Sequence, residues 1–177
     1  MFMAHRRTQS ASPCVEERGA CRWNALEGGS RLTDAMIPVG HKPIVSRFAV
    51  ATGVLELSAD SADAIRNGLV HKGDVLEASM VAAIQAVKET PRTIPHCHVI
   101  PIEGCSVTWD WEDDALRCTV NVSAHWKTGV EMEALTAASV TALTLFDMCK
   151  AVDKRMEITG IRVLEKQGGK SGDFKAD

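Results

Sequence analysis

The chain has 177 residues, of which 45% are hydrophobic and 24% charged, and a formal net charge of −3. These values fit one globular domain able to bury about 70% of its unfolded surface, and they exclude the strongly basic balance of a nucleic-acid binder. The cysteines, Cys14, Cys21, Cys97, Cys105, Cys118 and Cys149, include no CxxC pair. Several lie in apolar segments where a free thiol packs as a small hydrophobe, so a reducing, cytoplasmic setting is expected.

Residues 1–36 are rich in Arg, Ser, Gly and Glu and carry no sustained period of 2 or 3.6. They are expected to form a disordered or loosely attached extension before a domain spanning 37–177. No apolar run follows Arg6 and Arg7, as a secretory signal would require, and Glu16, Glu17 and Glu27 argue against a transit peptide. No stretch reads as a membrane span of roughly 18 apolar residues.

From Ile44 to Val54 the residues are β-branched and apolar, which predicts a strand. A short amphipathic helix is expected over Ser58–Leu69. Asp74, with Glu77 three positions on, has the form of a capping box and starts a helix over Val75–Lys88, bounded by Pro91 and Pro95. That helix is rich in Ala78, Ser79, Ala82, Ala83 and Ala86, a surface suited to close packing. Val107, Trp109 and Trp111 then alternate with polar residues, Glu112-Asp113-Asp114 forms a turn, and Leu116 to Trp126 alternates strictly, giving a hairpin with one buried face. The longest helix is expected over Val130–Lys154 and a last strand over Met156–Glu165. The order strand, helix, helix, two strands, helix, strand predicts an α+β sandwich of ferredoxin-like type, with helices on one face of a mainly antiparallel sheet.

The segment Lys127 to Val140, KTGVEMEALTAASV, holds the first chemical signals. Thr128 with Glu131 has capping-box spacing, a purely structural role, and Glu133 lies where a carboxylate favours the helix dipole. Further on, Asp147 and Lys150 stand three apart on an otherwise apolar helix and so share a face. Either they form a surface ion pair or they sit at a cleft, where apolar surroundings would tune the lysine for proton transfer. His96-Cys97-His98 invites a metal reading, but only the two histidines of an extended segment point the same way, and no CxxC or HxxxH supports them. A ring nitrogen bonded to a substrate is the better expectation, with Cys97 as a nucleophile a weaker one. The tail 168-GGKSGDF-174 lacks the first glycine of a phosphate loop, because Leu164 stands in its place. It is expected to be a flexible basic segment that closes over an anion through Lys166 and Lys170.

Taken together, His71-Lys-Gly-Asp-Val75, Ile94-Pro-His-Cys-His98, Lys127 to Ser139, Asp147-Met-Cys-Lys-Ala-Val152 and Lys166 to Phe174 resemble the MoaC family of molybdenum cofactor biosynthesis. The resemblance covers about Met36 to Phe174, and its most specific part is TGVEMEALTAASV…DMCKAV. It implies a lyase that acts after a radical S-adenosylmethionine GTP cyclase. Such an enzyme converts 3',8-cyclo-7,8-dihydro-GTP to cyclic pyranopterin monophosphate and releases diphosphate. It further implies no metal or cofactor, and a homohexamer, three dimers, with the site at the dimer interface. The resemblance assigns Lys72, Asp147 and Lys150 to catalysis. It places Cys97, His98, Glu131, Met132 and Glu133 in the pocket, and Arg47, Lys166 and Lys170 near the triphosphate. This chain departs from the family pattern at Ile37-Pro-Val-Gly40, where an Asp is missing, at His96, at Val99 in place of a proline, and at His125-Trp126. Those departures leave open a divergent paralogue that binds a nucleotide or pterin without turnover.

Overall fold

The computed structural model describes residues 36–177, so the expected extension over 1–36 lies, but for Met36, outside the described residues. Strand β1, Val45–Glu56, is followed by helices α1, Ala59–Arg66, and α2, Val75–Thr93. The hairpin of β2, Gly104–Glu112, and β3, Ala115–Trp126, leads into α3, Glu131–Cys149, and then β4, Glu157–Gln167, and β5, Phe174–Lys175. The sheet order is β2-β3-β1-β4-β5, antiparallel throughout. The first four strands and their helices give the ferredoxin-like order expected from the pattern.

The strict alternation of β3 does what period 2 dictates. Leu116, Cys118, Val120 and Val122 are buried and stand opposite Leu55, Gly53, Ala51 and Ala49 of β1. Ala49, Ala51, Val120 and Val122, with Ala134, Ala137 and Ala138 of α3 and Ala83, Ala86 and Val87 of α2, build one core cluster. The small side chains bring helix and sheet close. A Cβ on Gly53 would stand 2.7 Å from Ile161 Cδ1 and 3.3 Å from the Ala138 carbonyl, so a larger residue there would displace Ile161 and press on α3. A second cluster, with Leu55, Val70, Val75, Leu116, Leu145, Met148 and Cys149, lies under the C-terminal end of α3.

Several expectations are corrected. Helix α2 runs past Pro91 to Thr93. One proline costs a single backbone bond in the last turn, where the Thr90 and Thr93 hydroxyls donate to the Ala86 and Glu89 carbonyls. Helix α3 stops at Cys149, with Lys150 as its C-cap. The Thr128–Glu131 capping box does not form, because Val130 is the N-cap and no side chain caps it. The tail is no loose segment: Phe174 and Lys175 pair with Lys166 and Glu165. Finally, α3 is long and apolar enough to cross a membrane by length and composition, contrary to the sequence reading, yet it is the central core helix, with Ala134, Ala137, Ala138 and Leu145 fully buried.

Candidate functional site

The chemistry-bearing side chains gather at the two ends of α3. At its C-terminal end, Asp147 Oδ2 accepts from Lys72 Nζ at 2.6 Å, and Asp147 Oδ1 lies 2.6 Å from Lys150 Nζ. Lys72 also donates to the Asp147 backbone carbonyl at 3.0 Å. Local structure explains why a lysine 75 positions away arrives there. Val70 and Val75 are buried beneath α3, the Gly73 N–H closes a turn onto the Val70 carbonyl, and Gly73 takes a φ of +101°, leaving Lys72 at the tip. Lys150, at the C-cap, stands where a cation favours the helix dipole. The Lys150 and Lys72 hydrogen bonds hold the Asp147 carboxyl down at about 2. In the single chain the three side chains are 45 to 54% exposed.

The N-terminal end is different. Glu133 is 2% exposed, and burial pushes its carboxyl up to about 7, with the Glu131 charge adding to the rise. Glu131 folds back over Gly129, where any Cβ would overlap its carboxylate, and stands 3.6 Å from Lys166 Nζ. Lys166 donates to Ser171 Oγ at 3.2 Å. Cys97 is close enough to Glu133 to feel its charge. Burial first, then Glu133, raises the thiol, which argues against a nucleophilic thiolate. His98 donates its Nε2–H to the Ile37 carbonyl at 2.8 Å, and Lys127 donates to the Gly40 carbonyl at 3.2 Å. The departing segment Ile37–Gly40 is therefore held through its backbone, which Pro38 and Gly40 leave available. Among the described residues, no group of three His, Cys, Asp or Glu side chains is arranged to hold a metal ion.

Not every expected residue faces open space. Met132 is 38% exposed between the two glutamates, and Lys170 stands exposed in the β4–β5 turn. Arg47 is 9% exposed and gives three N–H groups to backbone carbonyls of Gly168, Trp126 and Lys127. Lys127 and Ser171 had no assigned role, and Gly168-Gly169 was expected only as part of a flexible basic segment. The one available signal was the paired glycines, which sit at φ +85° and +98°.

Sixteen residues of continuous helix separate Glu131 from Asp147, about 24 Å of axial rise. Within one protomer the two groups do not share a pocket.

The class that this fold and these residues define is fixed by comparison. The profile of the MoaC family matches residues 36–169, and the chain belongs to that family. A cyclic pyranopterin monophosphate synthase of Rhodopirellula baltica is 48% identical over 153 residues, covering 80% of this chain and 87% of its own length. The synthase of Clostridium perfringens strain 13 is 47% identical over 141 residues, covering 78% and 89%. A probable synthase of Thermococcus kodakarensis is 46% identical, covering 76% and 90%.

Proposed function

We propose that this chain is a cyclic pyranopterin monophosphate synthase, a lyase that converts 3',8-cyclo-7,8-dihydro-GTP to cyclic pyranopterin monophosphate with release of diphosphate. The observation that carries the chemistry is the Lys72–Asp147–Lys150 triad, two amines each 2.6 Å from one carboxylate. Opening a purine-derived ring and closing a pterin moves protons on several nitrogens and oxygens, and positioned amines and acids suit that work. Asp147, ionised across the working pH range, orients both ammonium groups. Glu133 titrates near neutrality and suits a group that both takes and gives a proton. Closing the cyclic phosphate breaks the bond between the α-phosphorus and the oxygen bridging to the β-phosphorus. Negative charge then grows on the leaving diphosphate, where Lys166, Lys170 and His98 supply positive charge or N–H donors.

On this reading the enzyme works in the cytoplasm, downstream of a radical S-adenosylmethionine enzyme, without a cofactor of its own. The site is shared between subunits of a homohexamer. Two observations support sharing: the 24 Å between the ends of α3, and the exposure of Met132 and Leu143 along the face that also carries Asp147 and Lys150. A neighbour on that face would bring a second acid pocket to the triad.

The deciding experiment supplies the cyclic dihydro-GTP intermediate to purified protein and measures diphosphate. Release with formation of the pterin product is expected; binding without release would sink the assignment. Sharing is tested by co-refolding two inactive variants, Lys150→Ala and Glu131→Ala. Recovery of about a quarter of wild-type turnover is expected if half of the pairings are mixed and each mixed pair keeps one intact site. No recovery would place the whole site in one protomer.

A further inference from the structure

We propose that Arg47 is a positioning residue, one that sets the Lys166–Glu131 end of the site through the backbone and does not touch the substrate's phosphates. The inference rests on the function proposed above, and it gives Arg47 a role different from the one its basic character suggests.

The geometry runs as a chain of contacts. Arg47 lies near the start of β1, opposite Ala124 of β3. Its Nε and Nη2 donate to the Trp126 and Lys127 carbonyls, each at 3.2 Å, where β3 leaves the sheet toward α3. Its Nη1 donates to the Gly168 carbonyl at 3.0 Å, where β4 leaves the sheet. The two segments belong to different crossings of the chain, and Arg47 is the side chain that bonds to both. Each segment carries one partner of the same ion pair. Glu131 opens the helix a few residues beyond Lys127, and Lys166 stands two residues before Gly168.

The glycines read as the other half of this fitting. Gly168 and Gly169 take φ values of +85° and +98°, but conformation is not the only constraint. A Cβ on Gly168 would overlap the Ser46 carbonyl, and one on Gly169 would overlap Arg47 Nη1. The guanidinium lies directly against the Gly-Gly turn. Asp173 Oδ1 accepts from the Gly168 N–H at 2.9 Å and closes the turn from the other side. A planar fork with several fixed donors can bond three carbonyls at once, whereas an ammonium on a flexible stem cannot hold the same arrangement. To reach a phosphate, the guanidinium would leave carbonyls at two strand ends without a partner, and it is itself only 9% exposed to solvent.

The test separates geometry from charge. Arg47→Lys keeps the charge and loses the fork. Gly169→Ala keeps the guanidinium and adds a methyl where Nη1 lies. Both are expected to lower kcat/KM for diphosphate release by roughly 10- to 100-fold, the scale of an ångström-sized misplacement. In an Arg47→Lys, Lys166→Ala double variant the losses should fail to multiply, because the clamp acts through Lys166. Amide hydrogen exchange should speed up in Arg47→Lys at 127–130 and 168–172 together. Three results would overturn the proposal: unchanged exchange in both segments, losses that multiply in the double variant, or near-wild-type kcat/KM in Arg47→Lys beside a large loss in Arg47→Met. If the wild-type protein releases no diphosphate, the proposed function fails, while the exchange measurement still decides whether Arg47 clamps the two segments. Should Arg47→Lys fail to fold, Gly169→Ala carries the same exchange and double-variant measurements.

Discussion

Glu133 and Asp147 are carboxylates on one helix, fourteen residues apart, and their surroundings drive them in opposite directions. Glu133 has almost no contact with solvent, and burial raises its carboxyl to about 7. Asp147 stands half in solvent between two ammonium groups and is held at about 2. Their ordinary values are nearly equal, so the contrast belongs to packing and partners. It divides the labour of the site: one end holds an acid that can change protonation near neutrality, and the other holds an acid whose fixed charge organises two lysines. A buried helix end made the first, and a surface turn anchored by Val70 and Val75 made the second.

The largest test of the contrast removes the cations. Lys72→Ala or Lys150→Ala should lower diphosphate release by about 10²- to 10⁴-fold, the usual worth of a positioned proton-transfer group. The melting temperature should stay within about a degree or two of wild type, since exposed ion pairs contribute little to stability. Wild-type rates from either variant would remove the triad from the mechanism.

Much of this was legible from residue order. Strict alternation in Leu116–Trp126 fixed which face of β3 is buried, and the helix spacing of Asp147 and Lys150 placed them on one face, as found. Lys72 was legible only through family likeness, because no local pattern tells that a turn at Val70–Gly73 reaches α3. The burial of Glu133 was hidden for a related reason. At the first turn of a helix, a glutamate reads as a solvated cap partner, and only the tertiary packing that buries it changes that. The β5 pairing and the Arg47 clamp depend on long-range backbone geometry, which leaves no trace in spacing beyond the two glycines.

The next effect concerns Glu133 itself. Its folded carboxyl titrates near 7 and its unfolded one near 4.5. The folded state therefore holds the extra proton between those values, and stability is full below about 4.5 and falls as pH rises through 7. The linkage amounts to roughly 3 kcal/mol across that window. Glu133→Gln should abolish this slope, melting like wild type near pH 4.5 and higher than wild type at pH 8. Parallel melting curves for the two proteins from pH 4.5 to 8 would show that the carboxyl is not held neutral by burial.

A smaller effect is expected at Lys166, which bridges Glu131 and Ser171. Lys166→Ala should raise KM about tenfold at low salt, with a shallower dependence on ionic strength than wild type, as follows from removing one cation from an anion site. An unchanged KM and an unchanged salt dependence would assign Lys166 to structure alone.

The smallest stability effect is expected at Asp147, where the sign is opposite to that of Glu133. Its folded value of about 2 lies below its ordinary 3.8, so its contribution is present above about pH 4 and disappears as pH falls through 2. Comparing wild type with Asp147→Asn isolates this group from the other carboxylates. The two melting temperatures should converge as pH falls from 4 to 2. Near neutrality they should differ only slightly, because solvent already screens the lysine pairs. A large gap at pH 7 that survives in 1 M salt would mean that the triad is buried by a neighbouring subunit in solution. That outcome would end the contrast between a dry end and a wet end of α3 at the level of the assembly, while preserving it in the single chain.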